Sequence, residues 1–403
     1  MTNADKCRAA ILEDKALAKI RGRHPWFFRG DFTHLPLEEE NGSLVPLASK
    51  SREVLAWGFL SAGSSLCVRA FSWGPKRPDT VKLMEMRLRE ALEVRNRFLE
   101  PGEDAYRWVH GEADGLPGLV VDRYGPVVVL QTLCAGMFGL RGEVAGLLSR
   151  LGGARAVVMR NDGRYLEGEG IPRQREILLG DLREGERFPV KTGDILSLVD
   201  CFAGQKTGLY LDVRKFPRVT RPFCEGARVL DAFSYCGNFT LHAILYGARE
   251  VLALDQSGEA LENLEGNLRL NSLQGKAELA PEQCNVFDRL RQLEQEGKPF
   301  DLVVMDPPPF APSKRQAEGA RRGYKELAVR GFRMLSPGGA MLFFSCSQAF
   351  GREALLETLG AAARDARRSC RVLAELHQPP DHPVNLDFPE GDYLKGFLVE
   401  ARP

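Results

Sequence analysis

Between Arg228 and Ala366 short apolar runs alternate four times with longer helix-patterned ones, and that rhythm leaves few folds open. Val229-Leu230-Asp231 precedes a helical pattern near 238–246, Val251 to Asp255 one near 259–270, Leu302 to Asp306 one near 317–335, and Ala340 to Phe344 one near 352–366. Repeated strand–helix units imply a mostly parallel sheet covered by helices on both faces. Ligands of such sheets bind beyond the carboxyl ends of the strands, so the residues there carry the functional reading.

The first strand closes on Asp231-Ala232-Phe233-Ser234-Tyr235-Cys236-Gly237-Asn238. Gly237 at the helix entrance permits close backbone approach to a ligand, and a lone glycine is not the G-x-G-x-x-G of a dinucleotide fold. Asp255 ends the second strand, where a carboxylate accepts hydrogen bonds from ribose hydroxyls. The third strand ends near Cys284-Asn285, and an amide there can pair with an adenine edge. Acid, ribose partner and adenine partner at successive strand ends describe an adenosine pocket; taken singly, each residue type is equally at home capping a helix.

The fourth strand delivers Met305-Asp306-Pro307-Pro308-Pro309-Phe310, whose consecutive prolines remove backbone donors and stiffen the loop around Asp306. The fifth ends at Ser345-Cys346-Ser347. A thiol there faces the same crevice, which makes Cys346 the best placed of the nine cysteines to act as a nucleophile, although an isolated cysteine is more often a small buried hydrophobe. No Cys-x-x-Cys pair or Cys/His cluster occurs, so neither a metal site nor a disulfide framework is expected.

Upstream the rhythm differs. Residues 1–75 hold short strand-like runs at Ser43 to Val45, Glu53 to Leu60 and Leu66 to Ser72, which predicts a small β-rich module. Its string Arg21-Gly22-Arg23-His24-Pro25-Trp26-Phe27-Phe28-Arg29 interleaves cations with aromatics. That mixture suits phosphate contact with base stacking, and equally a strand that buries its aromatics. Residues 76–190 combine helical spacing over Lys82 to Leu99 and Phe138 to Leu151 with apolar runs at Val127 to Gln131 and Ala156 to Met159, an α+β pattern. Residues 191–403 form the third segment.

The chain carries 55 Lys and Arg against 54 Asp and Glu, a net charge of +1, so any nucleic-acid contact has to rest on local charge. Met305 to Arg333 holds seven basic residues and three acidic ones, a strip beside the Asp306 loop that also reads as a solvated helix face. No stretch approaches a membrane span and no apolar leader opens the sequence, so a cytoplasmic chain without a membrane partner is expected.

With these residues assembled, the sequence resembles the class I S-adenosylmethionine-dependent methyltransferases, and more narrowly the bacterial large-subunit ribosomal RNA cytosine-5 methyltransferases with an N-terminal PUA domain. The resemblance rests on Arg23-His24-Pro25-Trp26, the His110 to Leu119 string HGEADGLPGL, Gly204 to Asp212, Asp231 to Gly237, Asp306 to Phe310, Ser345-Cys346-Ser347, His382-Pro383 and Tyr393-Leu394-Lys395-Gly396. It implies a Rossmann-like catalytic domain behind a PUA domain and a small central α+β domain, with S-adenosylmethionine as cofactor and ribosomal RNA as partner; a homodimer is allowed. By the same resemblance Cys346 attacks carbon 6 of a cytosine and Asp306 supports the ring at nitrogen 3. Asp231, Phe233, Ser234, Tyr235, Gly237, Asp255, Asn285 and Asp306 are then the cofactor residues. Arg23, Trp26, Gln205, Lys206, Pro307, Pro308 and Phe310 are the substrate residues. Asn285 departs from the family's usual Asp, and Cys236 from its usual Thr. The rival readings are guanine methylation of ribosomal RNA, which needs no thiol, and a non-catalytic RNA-binding assembly factor.

Overall fold

The structure, a computed structural model, describes residues 9–202, 204, 206–308, 310, 317–348 and 350–402. Contacts divide the chain into two compact units. One takes the chain up to Val190 together with Val199–Leu211 and Pro380–Gly391; the other takes Lys191–Leu198, Asp212–Pro379 and Asp392–Pro403.

The second unit contains a seven-stranded sheet. Its strands are β1 (Arg228–Ala232), β2 (Glu250–Asp255), β3 (Glu278–Gln283), β4 (Phe300–Met305), β5 (Leu335–Ser345), β6 (Cys370–His377) and β7 (Lys395–Ala401), in the spatial order β3-β2-β1-β4-β5-β7-β6. Helices α1 (Asn238–Leu245), α2 (Gly258–Leu270), α3 (Val286–Glu296), α4 (Ala317–Met334) and α5 (Arg352–Asp365) follow β1 to β5 in turn. The first five strands are parallel, whereas β7 runs antiparallel to both β5 and β6. Central β1, β4 and β5 are buried apolar runs, as strands covered on both faces must be. Edge strand β3, Glu-Leu-Ala-Pro-Glu-Gln, is partly exposed and tolerates Pro281, whose missing N–H would break a central ladder. Strand order reverses between β1 and β4, and the crevice at that switch point is where this architecture places a ligand.

In the first unit, a six-stranded sheet joins Trp26–Phe28, Leu66–Trp73, Val54–Leu60, Leu44–Ala48, Ala10–Leu12 and Phe32–His34 in that spatial order. A five-stranded sheet joins Gln174–Gly180, Ala156–Asn161, Val127–Thr132, Leu119–Tyr124 and Ala105–His110, with the helices Thr80–Asn96 and Arg141–Gly152. The expected β-rich and α+β patterns are both observed, with boundaries displaced by one to three residues at most strand ends.

The segment Pro380–Gly391, although it connects β6 to β7, belongs to the first unit. There the buried Arg95 guanidinium donates to the Asp381 carbonyl at 2.9 Å and to both Asp114 carboxylate oxygens, at 2.6 and 2.7 Å. The Asp381 carboxylate accepts the Arg107 backbone N–H at 3.0 Å, and His382 lies buried beside it. Asp114 and Glu112 of the HGEADG string are thus structural acceptors, Glu112 receiving the Trp26 indole N–H at 2.8 Å.

Candidate active site at the strand ends

The loop after β1 is built under conformational strain. Phe233 (φ 68°), Tyr235 (φ 48°) and Gly237 (φ 86°) are all left-handed, which costs a non-glycine residue about 1–3 kcal/mol and persists only where the surroundings dictate it. They do so at each step. Ser234 N–H donates to the Leu254 carbonyl (2.9 Å), Tyr235 N–H to Asp255 Oδ2 (2.8 Å) and Gly237 N–H to the Ser234 carbonyl (2.9 Å). Asn267 of α2, fully buried, donates from Nδ2 to the Cys236 carbonyl at 3.1 Å and accepts the Leu198 N–H at 2.7 Å. A Cβ on Gly237 would meet the Leu264 side chain at 2.6 Å, so glycine is required both by φ and by the closeness of α2.

Asp255 accepts Tyr235 N–H on one carboxylate oxygen and Ser257 N–H on the other, each at 2.8 Å. Each oxygen retains capacity for a further donor, as a ribose diol would supply. Ser234 Oγ and Asn238 Oδ1 are buried and, among the described residues, without a hydrogen-bond partner. Orphaned buried acceptors are rare and mark a place where a polar ligand belongs. The residues present fit S-adenosylmethionine: Asp255 would accept from a ribose diol, Ser234 and Asn238 would meet a polar group, and Phe233 and Phe287, with ring centroids 5.6 Å apart, would offer an apolar face to the adenine.

Two nominated cofactor residues have other duties. Asn285 uses its side-chain carbonyl to cap α3, accepting the N–H groups of Phe287 (3.0 Å) and Asp288 (3.4 Å). Asp231, fully buried, accepts both the N–H and the hydroxyl of Thr240 at 3.0 and 2.6 Å, pinning the first turn of α1. Burial, with a smaller contribution from the Asp255 charge, raises its carboxyl from 3.8 to about 6 against those hydrogen bonds. The folded chain therefore holds a proton between those values that the unfolded chain has lost, and stability falls as pH rises through that window. Asp231→Asn keeps an acceptor for Thr240 and cannot ionise. At pH 7.5, without cofactor, the variant is expected to be more stable than the parent by roughly 1–3 kcal/mol in denaturant unfolding, with the gap closing near pH 4. A gap that does not change with pH would show that Asp231 ionisation is not its source.

Across the switch point, Met305 of β4 lies opposite Phe343 of β5, and Asp306 and Cys346 are the first residues beyond their strands at the same edge of the sheet. Both are partly exposed, whereas Ser345 and Ser347 on either side of Cys346 are buried. Ser345 Oγ donates to the Tyr324 hydroxyl at 3.0 Å, and Phe310 packs edge-on against Tyr324, 4.7 Å between centroids, and within 5.9 Å of Phe287. Phe233, Phe287, Phe310 and Tyr324 thus form a continuous aromatic wall from the cofactor loop to the Cys346 strand. Phe310 stands in that wall, Pro307 is buried and Pro308 is exposed.

Elsewhere, Trp26 commits its indole N–H to Glu112 and its ring to Phe388, with centroids 4.6 Å apart. Arg23 is exposed in a left-handed conformation (φ 50°). Lys206 is exposed, its ammonium 4.0 Å from the centre of the Tyr210 ring, and Thr207 is buried, donating to Asp122 at 2.6 Å. Gln205 lies outside the described residues. The expected basic strip is altered most: Arg321 pairs with Glu357, Lys325 with Asp365, Arg330 with Glu294 and Glu326, and Arg333 with Glu294. Acids of α3 and α5 thereby offset the cations of α4; Lys314 and Arg315 lie outside the described residues. Among the described residues no group of His, Cys, Asp and Glu side chains is placed to hold a metal, and no helix is long and apolar enough to cross a membrane.

Five residues of this site were not assigned a role from sequence: Asn238, Asn267, Phe287, Tyr324 and Lys395. Lys395 stood in view within Tyr393-Leu394-Lys395-Gly396, and Asn267 in the spaced series Asn263, Asn267, Asn271.

Comparison with known proteins agrees with this geometry. Residues 184–398 match the S-adenosylmethionine-dependent methyltransferase family and residues 10–73 a PUA-like domain. The ribosomal RNA large subunit methyltransferase I of Klebsiella pneumoniae strain 342 is 36% identical over 403 residues, covering all of both chains. That of Erwinia tasmaniensis is 36% identical over 381 residues, 94% of this chain and 96% of its own. Among solved structures, a SAM-dependent methyltransferase from Streptococcus mutans superposes with a TM-score of 0.81 at 19% identity, over 97% of this chain and 99% of its own. A methyltransferase complexed with SAH gives 0.83 at 20% identity with the same coverage; these two establish the shared fold. The chain is accordingly a member of the S-adenosylmethionine-dependent methyltransferase family, in the group that joins a PUA-like domain to the catalytic domain and includes the ribosomal RNA large subunit methyltransferases I.

Proposed function

We propose that this methyltransferase modifies carbon 5 of a cytosine in large-subunit ribosomal RNA through a covalent adduct on Cys346. The observation that carries the reading is the shared edge of Asp306 and Cys346, beyond adjacent parallel strands and joined by the aromatic wall to the cofactor loop. Ribosomal RNA as substrate draws on the names of the full-length relatives.

Carbon 5 of a neutral cytosine is a weak nucleophile. Addition of the Cys346 thiolate to carbon 6 forms an S–C bond and shifts the ring's π pair onto carbon 5 and toward nitrogen 3, where a proton shared between the Asp306 carboxyl and nitrogen 3 offsets the negative charge that builds there. S-adenosylmethionine, when bound, supplies the methyl group as an electrophile and departs as S-adenosylhomocysteine. Loss of the carbon 5 proton to a base then lets the pair re-form the ring double bond and expel the thiolate. The target base has to leave its stack to reach Cys346, which favours a loop or incompletely assembled RNA. In this reading residues 1–75 are an RNA-binding module, 76–190 connect, and 191–403 carry the catalysis.

Nucleoside mass spectrometry of ribosomal RNA from cells with and without the protein tests the assignment. 5-Methylcytidine present only with the protein is expected. Methylguanosine instead would move the target to guanine, and no change in either would favour an assembly factor.

A further inference from the structure

Lys395 opens β7 opposite Ser345, the last residue of β5, and is 4% exposed. Its ammonium donates to the carbonyl of Ser347 at 3.2 Å and to that of Tyr393 at 3.0 Å, so it is fixed to the residue that follows Cys346. Among the described residues no carboxylate lies within ion-pair distance of it. A lysine that is buried, given two carbonyl acceptors and no carboxylate in direct contact, is stabilised by any anion that forms beside it.

We infer that Lys395 is a positioning residue for the proposed nucleophile: its ammonium stabilises the Cys346 thiolate and so raises the fraction of the chain poised for attack. This rests on the reading of Cys346 given above. An opposite charge close by favours the ionised thiol, as at other activated cysteines. The electrostatics run both ways, for burial lowers the Lys395 pKa while the charges of Asp392 and Cys346 oppose that shift. Among the described residues, Asp306, Tyr324 and His377 do not favour ionisation of the thiol. Asp306 from the end of β4 adds negative charge at the same edge of the sheet. Tyr324 from α4, whose hydroxyl is pushed up chiefly by burial and also by the charges of Cys346 and Asp306, stays protonated. His377 faces Lys395 across β6 and β7 but is exposed. Lys395 is the buried cation that offsets Asp306.

The test is the pH dependence of Cys346 alkylation by iodoacetamide in the full-length protein, read on the Cys346 peptide by mass spectrometry. Lys395→Gln keeps N–H donors for the two carbonyls and removes the charge; Lys395→Met is a second uncharged variant, and Lys395→Arg restores the charge. The midpoint should rise by about one pH unit or more in the uncharged variants, a roughly tenfold slower reaction at pH 7, and return toward the parent value with Arg. An uncharged variant that melts cooperatively and titrates with the parent overturns the inference, as does an Arg variant that titrates with Gln. The acid limb of the kcat profile should move with the midpoint. If the thiol shifts and that limb does not, it is the nucleophile reading that fails, and the Lys395 effect on the thiol stands.

Discussion

Replacing Cys346 with alanine is expected to lower methyl transfer by at least about 10³-fold while leaving S-adenosylmethionine affinity within about twofold of the parent. The separation follows from position. The cofactor loop is anchored by Leu254 and Asp255 of β2 and Asn267 of α2, so removing the thiol that follows β5 leaves those bonds in place. A second readout isolates the covalent step. RNA carrying fluorine in place of the carbon 5 hydrogen has no proton to surrender, so the adduct should accumulate as a denaturation-stable protein–RNA species with the parent chain and be absent with Cys346→Ala. Turnover within tenfold of the parent would sink the nucleophile assignment, whatever the fate of the adduct.

The next largest effect is expected at Asp255. Alanine there removes the acceptor of both Tyr235 N–H and Ser257 N–H, so the left-handed Tyr235 loses the bond that holds it and the ribose loses its partner. Two part-buried donors left unsatisfied and one lost ligand contact amount to roughly 3 kcal/mol, or about a hundredfold weaker binding in a calorimetric titration. Asp255→Asn, which retains one carbonyl oxygen, should fall between. An alanine variant that binds the cofactor within threefold of the parent would mean that the loop is held without Asp255 and that the ribose is recognised elsewhere.

How far the sequence could be read depended on whether a residue's partner lay nearby in the chain. The alternation from β1 to β5 is local physics, apolar runs of strand length followed by amphipathic helices, and it located the switch-point crevice, Gly237, Asp306 and Cys346 at the strand ends. Asp231 shows the limit: an acid at a strand end looks like a ligand group, and only the fold reveals that Thr240 takes up its carboxylate. The basic strip fails for the same reason, since the acids that offset α4 sit on α3 and α5, more than thirty residues away in either direction. For Trp26 the sequence left an RNA contact and a strand that buries its aromatics equally open, and its indole partner, Glu112, 86 residues distant, is not legible from the local string. Lys395 is legible only once β7 is known to run antiparallel beside β5, a pairing that no local pattern encodes.

The excursion at Pro380–Gly391 bears on how the chain acquires its structure during vectorial synthesis. The first unit contains Arg95, fully buried, and that guanidinium reaches one of its acceptors only when Asp381, 286 residues further along the chain, has emerged. A nascent chain that has not yet reached residue 381 therefore presents a first unit in which Arg95 has its pair with Asp114 but lacks the Asp381 carbonyl, and Arg107 N–H lacks the Asp381 carboxylate. The first unit is then completed only after β6 of the second has been synthesised, and a nick near residue 385 would act on the first unit through Asp381.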